Sequence, residues 1–161
     1  QTLKVLALPH AGTLLDAGGG TGRVAEALRS HIGSVFVADV SRGMLEQARR
    51  KDLAAASAES ERLPFADGAF DRVLMVDALH HVVHQGETVR ELYRVLKPGG
   101  RLVIEEPDLR KFAVKLIAVA EKLALMRSHF LAPAQIAALL PSDAKVRVES
   151  EEHTAWVIVE K

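Results

Sequence analysis

Short apolar runs alternate with stretches of helical spacing along this chain, the pattern of an α/β domain built on a mostly parallel sheet. Thr13 to Ala17 reads as a first buried strand, and Val24, Ala27 and Leu28 space out a helix soon after it. Ser34 to Ala38 is a second strand that ends at Asp39, and Ser41 is the N-cap expected for a helix from Gly43 to Lys51. Leu53 to Ala58 is a weaker third strand, short of β-branched residues, and Arg72 to Val76 is a clear fourth. Gly86 to Leu96 is an amphipathic helix stopped by the turn Lys97-Pro98-Gly99-Gly100, and Arg101 to Glu105 is a fifth strand. Leu109 to Arg127 has helical spacing, and Pro133 to Leu140 is a short helix with proline in its first turn. Lys145 to Ser150 and Thr154 to Glu160 alternate as a terminal antiparallel pair. No repeat, low-complexity tract or linker divides the chain, so one domain over residues 1–161 is expected.

Composition narrows the partners. Lys plus Arg and Asp plus Glu each number 21, a balance that argues against a dedicated nucleic-acid binder. The chain has no cysteine, which removes disulfide scaffolds, thiolate metal sites and cysteine nucleophiles. No apolar run approaches the ~20 residues that span a bilayer, and Gln1 to His10 are wrongly flanked for a secretory signal. A cytoplasmic location is the expectation. The first residue is Gln1, not Met, consistent with trimming or with a start inside a longer protein.

The first strand runs into Gly18-Gly19-Gly20-Thr21-Gly22, a helix follows, and the second strand ends in an acid, Asp39. This is the layout of an adenosine-cofactor site: glycines let the backbone turn tightly beside the ligand, and the acid can accept from both ribose hydroxyls. A dinucleotide fingerprint, G-x-G-x-x-G from Gly18, would need glycine where Arg23 stands. The spacing present is G-x-G-x-G, preceded by Asp16.

That pattern resembles motif I of the class I S-adenosylmethionine-dependent methyltransferases. Further matches arrive in order: Ala58-Glu59-Ser60-Glu61-Arg62-Leu63-Pro64-Phe65 with Asp67-Gly68-Ala69-Phe70-Asp71, then Ala78-Leu79-His80-His81-Val82, then Arg94-Val95-Leu96-Lys97-Pro98-Gly99-Gly100. Together they most resemble the branch related to ubiquinone/menaquinone biosynthesis C-methyltransferases, from about Leu14 to Glu105. The resemblance implies a Rossmann-like seven-stranded, mostly parallel sheet with a terminal antiparallel hairpin and helices on both faces. It implies S-adenosylmethionine as cofactor and a small molecule as methyl acceptor, quinone-like or other, at a carbon, oxygen or nitrogen atom. Its site residues carry over as Asp16, Gly18, Gly19, Gly20 and Gly22 around the methionine end, and Asp39 on the ribose. Val40 and Met44 pack on the adenine, Glu59 and the Ser60 amide read its edge, and Asp77 meets the methionine end through its backbone. Glu59 stands where the family usually has Asp, which changes the reach of that contact. Met44 on an amphipathic helix is as readily a core residue as a ligand contact, and Leu63 and Phe65 are expected in the core.

Methyl transfer asks the protein for in-line placement, exclusion of water and, for some acceptors, a base. His80 and His81 are the candidate catalytic residues, with a structural role as the alternative reading. His80 and His84 stand four apart, the spacing of a helical metal pair, but no third ligand is evident and no metal is expected. Glu105, Glu106 and Asp108 follow the fifth strand as further residues that could face the acceptor, but the adjacent pair cannot both point inward if strand geometry continues. Val76-Asp77-Ala78-Leu79 stands where amino-group DNA methyltransferases carry N/D/S-P-P-Y/F, and no cysteine is present for cytosine C5 transfer. Leu109 to Arg127 sets Phe112, Leu116, Val119 and Leu123 on one face: a helix packed on the sheet or in a dimer, or else a lid or interfacial helix touching a membrane peripherally. Monomer and homodimer both stay open. Two other readings are a cofactor-binding module without catalysis, suggested by the short N-terminal region and Glu59, and a nicotinamide-dependent oxidoreductase, disfavoured by Arg23.

Overall fold

Adjacent residues of each central strand serve different cores. Leu14, Leu74, Val103 and Ile158 face one side of the sheet, while Leu15, Val73, Met75, Leu102, Ile104 and Val157 face the other. This is the two-residue period of a strand buried on both faces, and it explains why the central strands read as continuous apolar runs. The computed structural model describes residues 1–108 and 129–161. The strands are β1 (His10–Ala17), β2 (Ile32–Asp39), β3 (Ala54–Ser57), β4 (Phe70–Val76), β5 (Leu96–Pro107), β6 (Lys145–Glu151) and β7 (Thr154–Glu160). They form one seven-stranded sheet in the order β3-β2-β1-β4-β5-β7-β6. The first five run parallel, and β7 pairs antiparallel with both β5 and β6.

Helices cover both faces, as expected. On the first face, α1 (Thr2–Val5), α2 (Arg23–Leu28) and α3 (Arg42–Arg49) bury Val5, Ala25, Leu28, Leu45 and Ala48 with Trp156 from β7. On the second, α4 (Gln85–Val95) and α5 (Pro133–Ala137) bury Val89, Leu92, Val95 and Ile136. Side chains of this kind each contribute about 1.5–3 kcal/mol when fully buried. Ser41 caps α3 as expected, its hydroxyl accepting from the Met44 amide at 3.4 Å. Leu63 is buried, and Phe65 packs edge-on against Phe70 at 4.9 Å.

Some boundaries differ from the sequence reading. β5 begins at Leu96, so the Lys97–Gly100 turn lies within the strand as a bulge: Phe70 pairs with Leu96, and the next pair is Arg72 with Arg101. β1 begins at His10, with a shift in register before Thr13. α3 ends at Arg49 and α5 at Ala137, both earlier than the apolar spacing suggested. The helix expected over 109–127 lies outside the described residues.

β1 is flanked by β2 and β4, so connections leave it toward opposite edges of the sheet. Loops at the carboxyl ends of strands diverge at such a reversal and leave a crevice between them. The glycine loop after β1, the loop after β2 and the loop after β4 all border this crevice.

Candidate active site

The glycine loop is held by β2. The Gly18 and Gly19 amides donate to the Ala38 carbonyl at 2.7 and 3.3 Å, continuing the β1–β2 ladder past the last paired residues. The Gly20 amide then donates to Asp39 Oδ2 at 2.9 Å, and the Ser41 amide donates to Asp39 Oδ1 at 2.8 Å. Gly18 and Gly20 have φ of +69° and +54°, a backbone region costly for residues with a Cβ. A Cβ on Gly20 would come 3.3 Å from Met44 Sδ and 3.9 Å from Asp39 Oδ2, inside the space between loop and acid.

Asp16 lies beneath this loop. It is 1 % exposed, and a Cβ on Gly19 would stand 2.7 Å from its Oδ2. Among the described residues Oδ2 has no hydrogen-bond partner. Burial pushes its carboxyl up to about 7, with Asp39 adding to the rise, against the Ala25 amide and Arg23, which lower it. A buried acid with an unused oxygen behind a glycine loop is suited to a cationic group brought close to that loop.

The opposite wall comes from the loops after β3 and β4. Arg94 of α4 clamps the first: its guanidinium donates to the Leu63 and Phe65 carbonyls at 3.2 and 2.9 Å and pairs with Asp67 at 2.7 Å and Glu91 at 2.8 Å. Glu91 also accepts from the Leu63 amide at 3.0 Å, and the Arg94 hydrogen bond holds its carboxyl below the usual range. The clamp orients the segment that carries Glu59, Ser60 and Glu61 to the crevice. After β4 the chain turns at Asp77, which has φ of +49°. Burial raises the Asp77 carboxyl, and Glu106 raises it further. A single 3-10 turn, Leu79–His81, follows.

These walls enclose a cleft of about 550 Å³, within the range of small-molecule sites. Of the residues nominated from sequence, it brings together Gly18, Gly20, Asp39, Val40, Met44, Glu59, Ser60, Asp77 and His81. Val40 is 65 % exposed and Met44 46 %, so Met44 is a cleft residue and not a core one. Ser41, Glu61, Ala78, Val82 and Val83 also line the cleft and were not nominated. Val83 is 72 % exposed, an apolar side chain at the mouth.

Four nominated residues lie outside this lining, Asp16 beneath the glycine loop and three more. Gly19 and Gly22 are absent from the lining; Gly22 is the N-cap of α2, and a Cβ on it would stand 2.4 Å from Leu53 Cδ1, so its smallness serves packing. His80 is 6 % exposed, its Nδ1 2.6 Å from Glu106 Oε2 and its ring stacked on Phe130 at 4.3 Å. The metal spacing of His80 and His84 presumes an α-helix, but a 3-10 turn ends at His81 and Val82 is extended. Among the described residues, no three His, Asp or Glu side chains converge as a metal site. Glu105 and Glu106 do point opposite ways: Glu105 accepts from Trp156 Nε1 at 2.7 Å, and Glu106 turns under the post-β4 loop. A separate hollow at the other end of the strands, lined by Arg72, Arg101 and Lys145, holds none of the nominated residues.

Comparison with known proteins agrees with this architecture. The model of the methyltransferase domain family matches residues 15–104, more than half of the chain. The chain belongs to this methyltransferase family. Its fold is that of the class I S-adenosylmethionine-dependent methyltransferases. Ubiquinone/menaquinone biosynthesis C-methyltransferase UbiE of Pseudomonas aeruginosa is 35% identical over 116 residues, covering 65% of this chain and 45% of the relative. UbiE of Pseudomonas entomophila is 34% identical over the same length and coverage. The chain therefore spans less than half the length of these curated relatives. A Thermotoga maritima S-adenosylmethionine-dependent methyltransferase, described as a possible histamine N-methyltransferase, superposes with a TM-score of 0.83 at 22% identity, covering 97% of this chain and 84% of that one. A Haloferax volcanii methyltransferase solved with the Trm112 methyltransferase activator gives 0.85 at 20% identity, covering 99% and 88%.

The cleft of this family member fits the cofactor on its own geometry. Glycine keeps the loop face open at Gly20, apolar Val40 and Met44 line the cleft beside a fixed carboxylate, and behind the loop lies a buried acid oxygen with no partner among the described residues. Among the described residues, no helix is long and apolar enough to cross a membrane.

Proposed function

We propose that the chain binds S-adenosylmethionine in this cleft and transfers its methyl group to a small-molecule acceptor. The observation that carries the reading is the Asp39 carboxylate, fixed by the Gly20 and Ser41 amides and lining the same cleft as the glycine loop. Each oxygen uses one acceptor site on the backbone and keeps capacity for a ribose hydroxyl. Val40 and Met44 supply the apolar surface for the adenine, and Glu59 with the Ser60 amide its polar edge. Gly18, Gly20, Asp77 and, from beneath, Asp16 serve the amino-acid end. When bound, the cofactor supplies an electrophilic methyl group on a sulfonium.

The acceptor side falls to the residues between Asp77 and Val83. His81 lines the cleft and is the residue we assign to take a proton from an acceptor that must lose one. His80, turned to Glu106, is assigned to structure and not to proton transfer. The relatives named as C-methyltransferases support a carbon acceptor and a quinone-like molecule, while the Thermotoga neighbour's description keeps nitrogen open; oxygen stays open too. Zero net charge favours a small molecule over a nucleic acid. The reading carries one domain over 1–161, a cytoplasmic location, and a monomer or homodimer.

Calorimetric titration with S-adenosylhomocysteine tests it, with NADH as competitor and Asp39→Ala as control. Saturable binding that NADH leaves intact and the variant weakens supports the reading. No binding at millimolar ligand sinks it, and competition by NADH turns the assignment toward a nicotinamide-dependent enzyme.

A further inference from the structure

Glu106 has no part in the chemistry assigned above, yet it sits under the wall that faces the acceptor. Its carboxylate is buried, with the residue 5 % exposed. A buried carboxylate is costly unless hydrogen bonds replace its water. Here Oε1 accepts from the Ala78 amide at 3.1 Å and the Leu79 amide at 2.8 Å, while Oε2 lies 2.6 Å from His80 Nδ1.

The loop needs such an acceptor. The β4–β5 ladder ends with Val76 opposite Glu105, and the Asp77 amide makes one more bond, to the Glu105 carbonyl at 2.9 Å. Asp77 then takes φ of +49°, a strained region for a residue with a Cβ, and the chain leaves the sheet. The next two amides have no strand to pair with, and buried amides without a partner destabilise the conformation that creates them. Glu106 satisfies both with one carboxylate oxygen.

The consequence reaches both walls of the cleft. Ala78 Cβ stands 2.7 Å from where a Cβ on Gly18 would lie, so the loop and the glycine loop are packed with no slack. The same pairing aligns the His80 ring with Phe130, and the His80 carbonyl accepts from the His129 amide at 2.8 Å. His81, Val82 and Val83 follow directly and line the cleft.

The geometry points to Glu106 as a positioning residue: its buried carboxylate holds the strained Asp77–His81 turn against the glycine loop and so sets the shape of the cleft. The inference rests on the cleft being the cofactor and acceptor site. It assigns the strand-end acid to the shape of the site and not to contact with substrate.

The test uses the whole chain, labelled with nitrogen-15, as wild type, Glu106→Gln and Glu106→Ala. The wild type is expected to show slow hydrogen exchange at the Ala78 and Leu79 amides and a low-field proton on His80 Nδ1. In Glu106→Gln the amide oxygen still accepts from the loop, so exchange stays slow and S-adenosylhomocysteine affinity stays within about threefold, while the low-field proton is lost. In Glu106→Ala, folded by circular dichroism, exchange at both amides speeds at least about tenfold and affinity falls at least about tenfold. Glutamine failing as badly as alanine, or alanine keeping wild-type exchange and affinity, overturns the proposal. So does fast exchange at Ala78 and Leu79 in the wild type, which needs no variant to fold. A wild type that does not bind S-adenosylhomocysteine counts against the cofactor reading alone, because the exchange and imidazole measurements use no ligand and still decide on Glu106.

Discussion

The Gly20 amide donates to Asp39 Oδ2 at 2.9 Å, so the acid expected to hold the ribose also holds the loop that would face the methionine end. Asp39 thus ties the glycine loop to the loop after β2 before any ligand arrives. Asp39→Ala removes two backbone acceptor bonds and the proposed ribose contact together. Charged hydrogen bonds of this kind contribute about 1.5–3 kcal/mol, so S-adenosylhomocysteine affinity is expected to fall about 10- to 100-fold. Calorimetry at equal fractions folded checks it; an unchanged affinity would remove Asp39 from the site.

Gly22 separates packing from binding within one loop. Its φ is +71°, and an added Cβ would stand 2.4 Å from Leu53 Cδ1 and 3.3 Å from Ala48 Cβ. Left-handed strain and overpacking together cost roughly 2–4 kcal/mol, so Gly22→Ala is expected to lower the thermal midpoint clearly. Its folded fraction should bind S-adenosylhomocysteine within about threefold of wild type, because Gly22 does not line the cleft. Gly20→Ala should show the reverse order of effects, with binding lost more than stability.

The contrast between these glycines marks how far sequence could carry the argument. Strand patterning placed the glycine loop and Asp39 at strand ends, while the segments carrying Val40, Glu59 and Asp77 were implied by the resemblance to the family's motifs. The same strand patterning separated Glu105 from Glu106. Which glycine lines the cleft and which faces Leu53 depends on helix packing that no local pattern encodes. The His80–Glu106 pair joins residues 26 apart through a strained turn, so neither residue announces the other. The His80–His84 spacing carries no metal signal for a related reason: four residues mean one helical face only inside a helix, and His80 to His84 is not one. β5 took in the Pro-Gly-Gly segment because a neighbouring strand accommodates it as a bulge, a tertiary outcome.

Thr88 offers a test of core energetics away from the cleft. It is fully buried on α4, and among the described residues its hydroxyl has no hydrogen-bond partner. Thr88→Val keeps the shape and removes an unsatisfied polar group, so it is expected to stabilise the chain by about 1 kcal/mol in denaturant melts. A loss of similar size would show that the hydroxyl is satisfied after all.

Asp16 and Asp71 should leave opposite marks on stability against pH. Asp16, shifted from 3.8 to about 7 by burial, binds a proton in the folded chain that the unfolded chain has released between those values. Its contribution is therefore greatest below pH 3.8 and is lost as pH rises through about 7, on the order of 4 kcal/mol at most. Asp71 goes the other way: burial alone would raise it, but Lys97 Nζ at 2.7 Å and the Thr13 amide at 2.9 Å hold it at about 2. It stabilises the fold by about 2 kcal/mol above its unfolded value, and that is lost as pH falls through about 2. Asp16→Asn should thus match wild type near pH 4, with an advantage that grows as pH rises toward 7 and levels off above it. Asp71→Asn should be the less stable one at pH 7, with the difference closing in acid. Thermal midpoints of the three proteins across pH 3 to 8 decide both signs. An Asp16→Asn advantage that does not grow with pH would show that the carboxyl is ionised comfortably in the fold, and would remove the case for a cation-seeking acid behind the glycine loop.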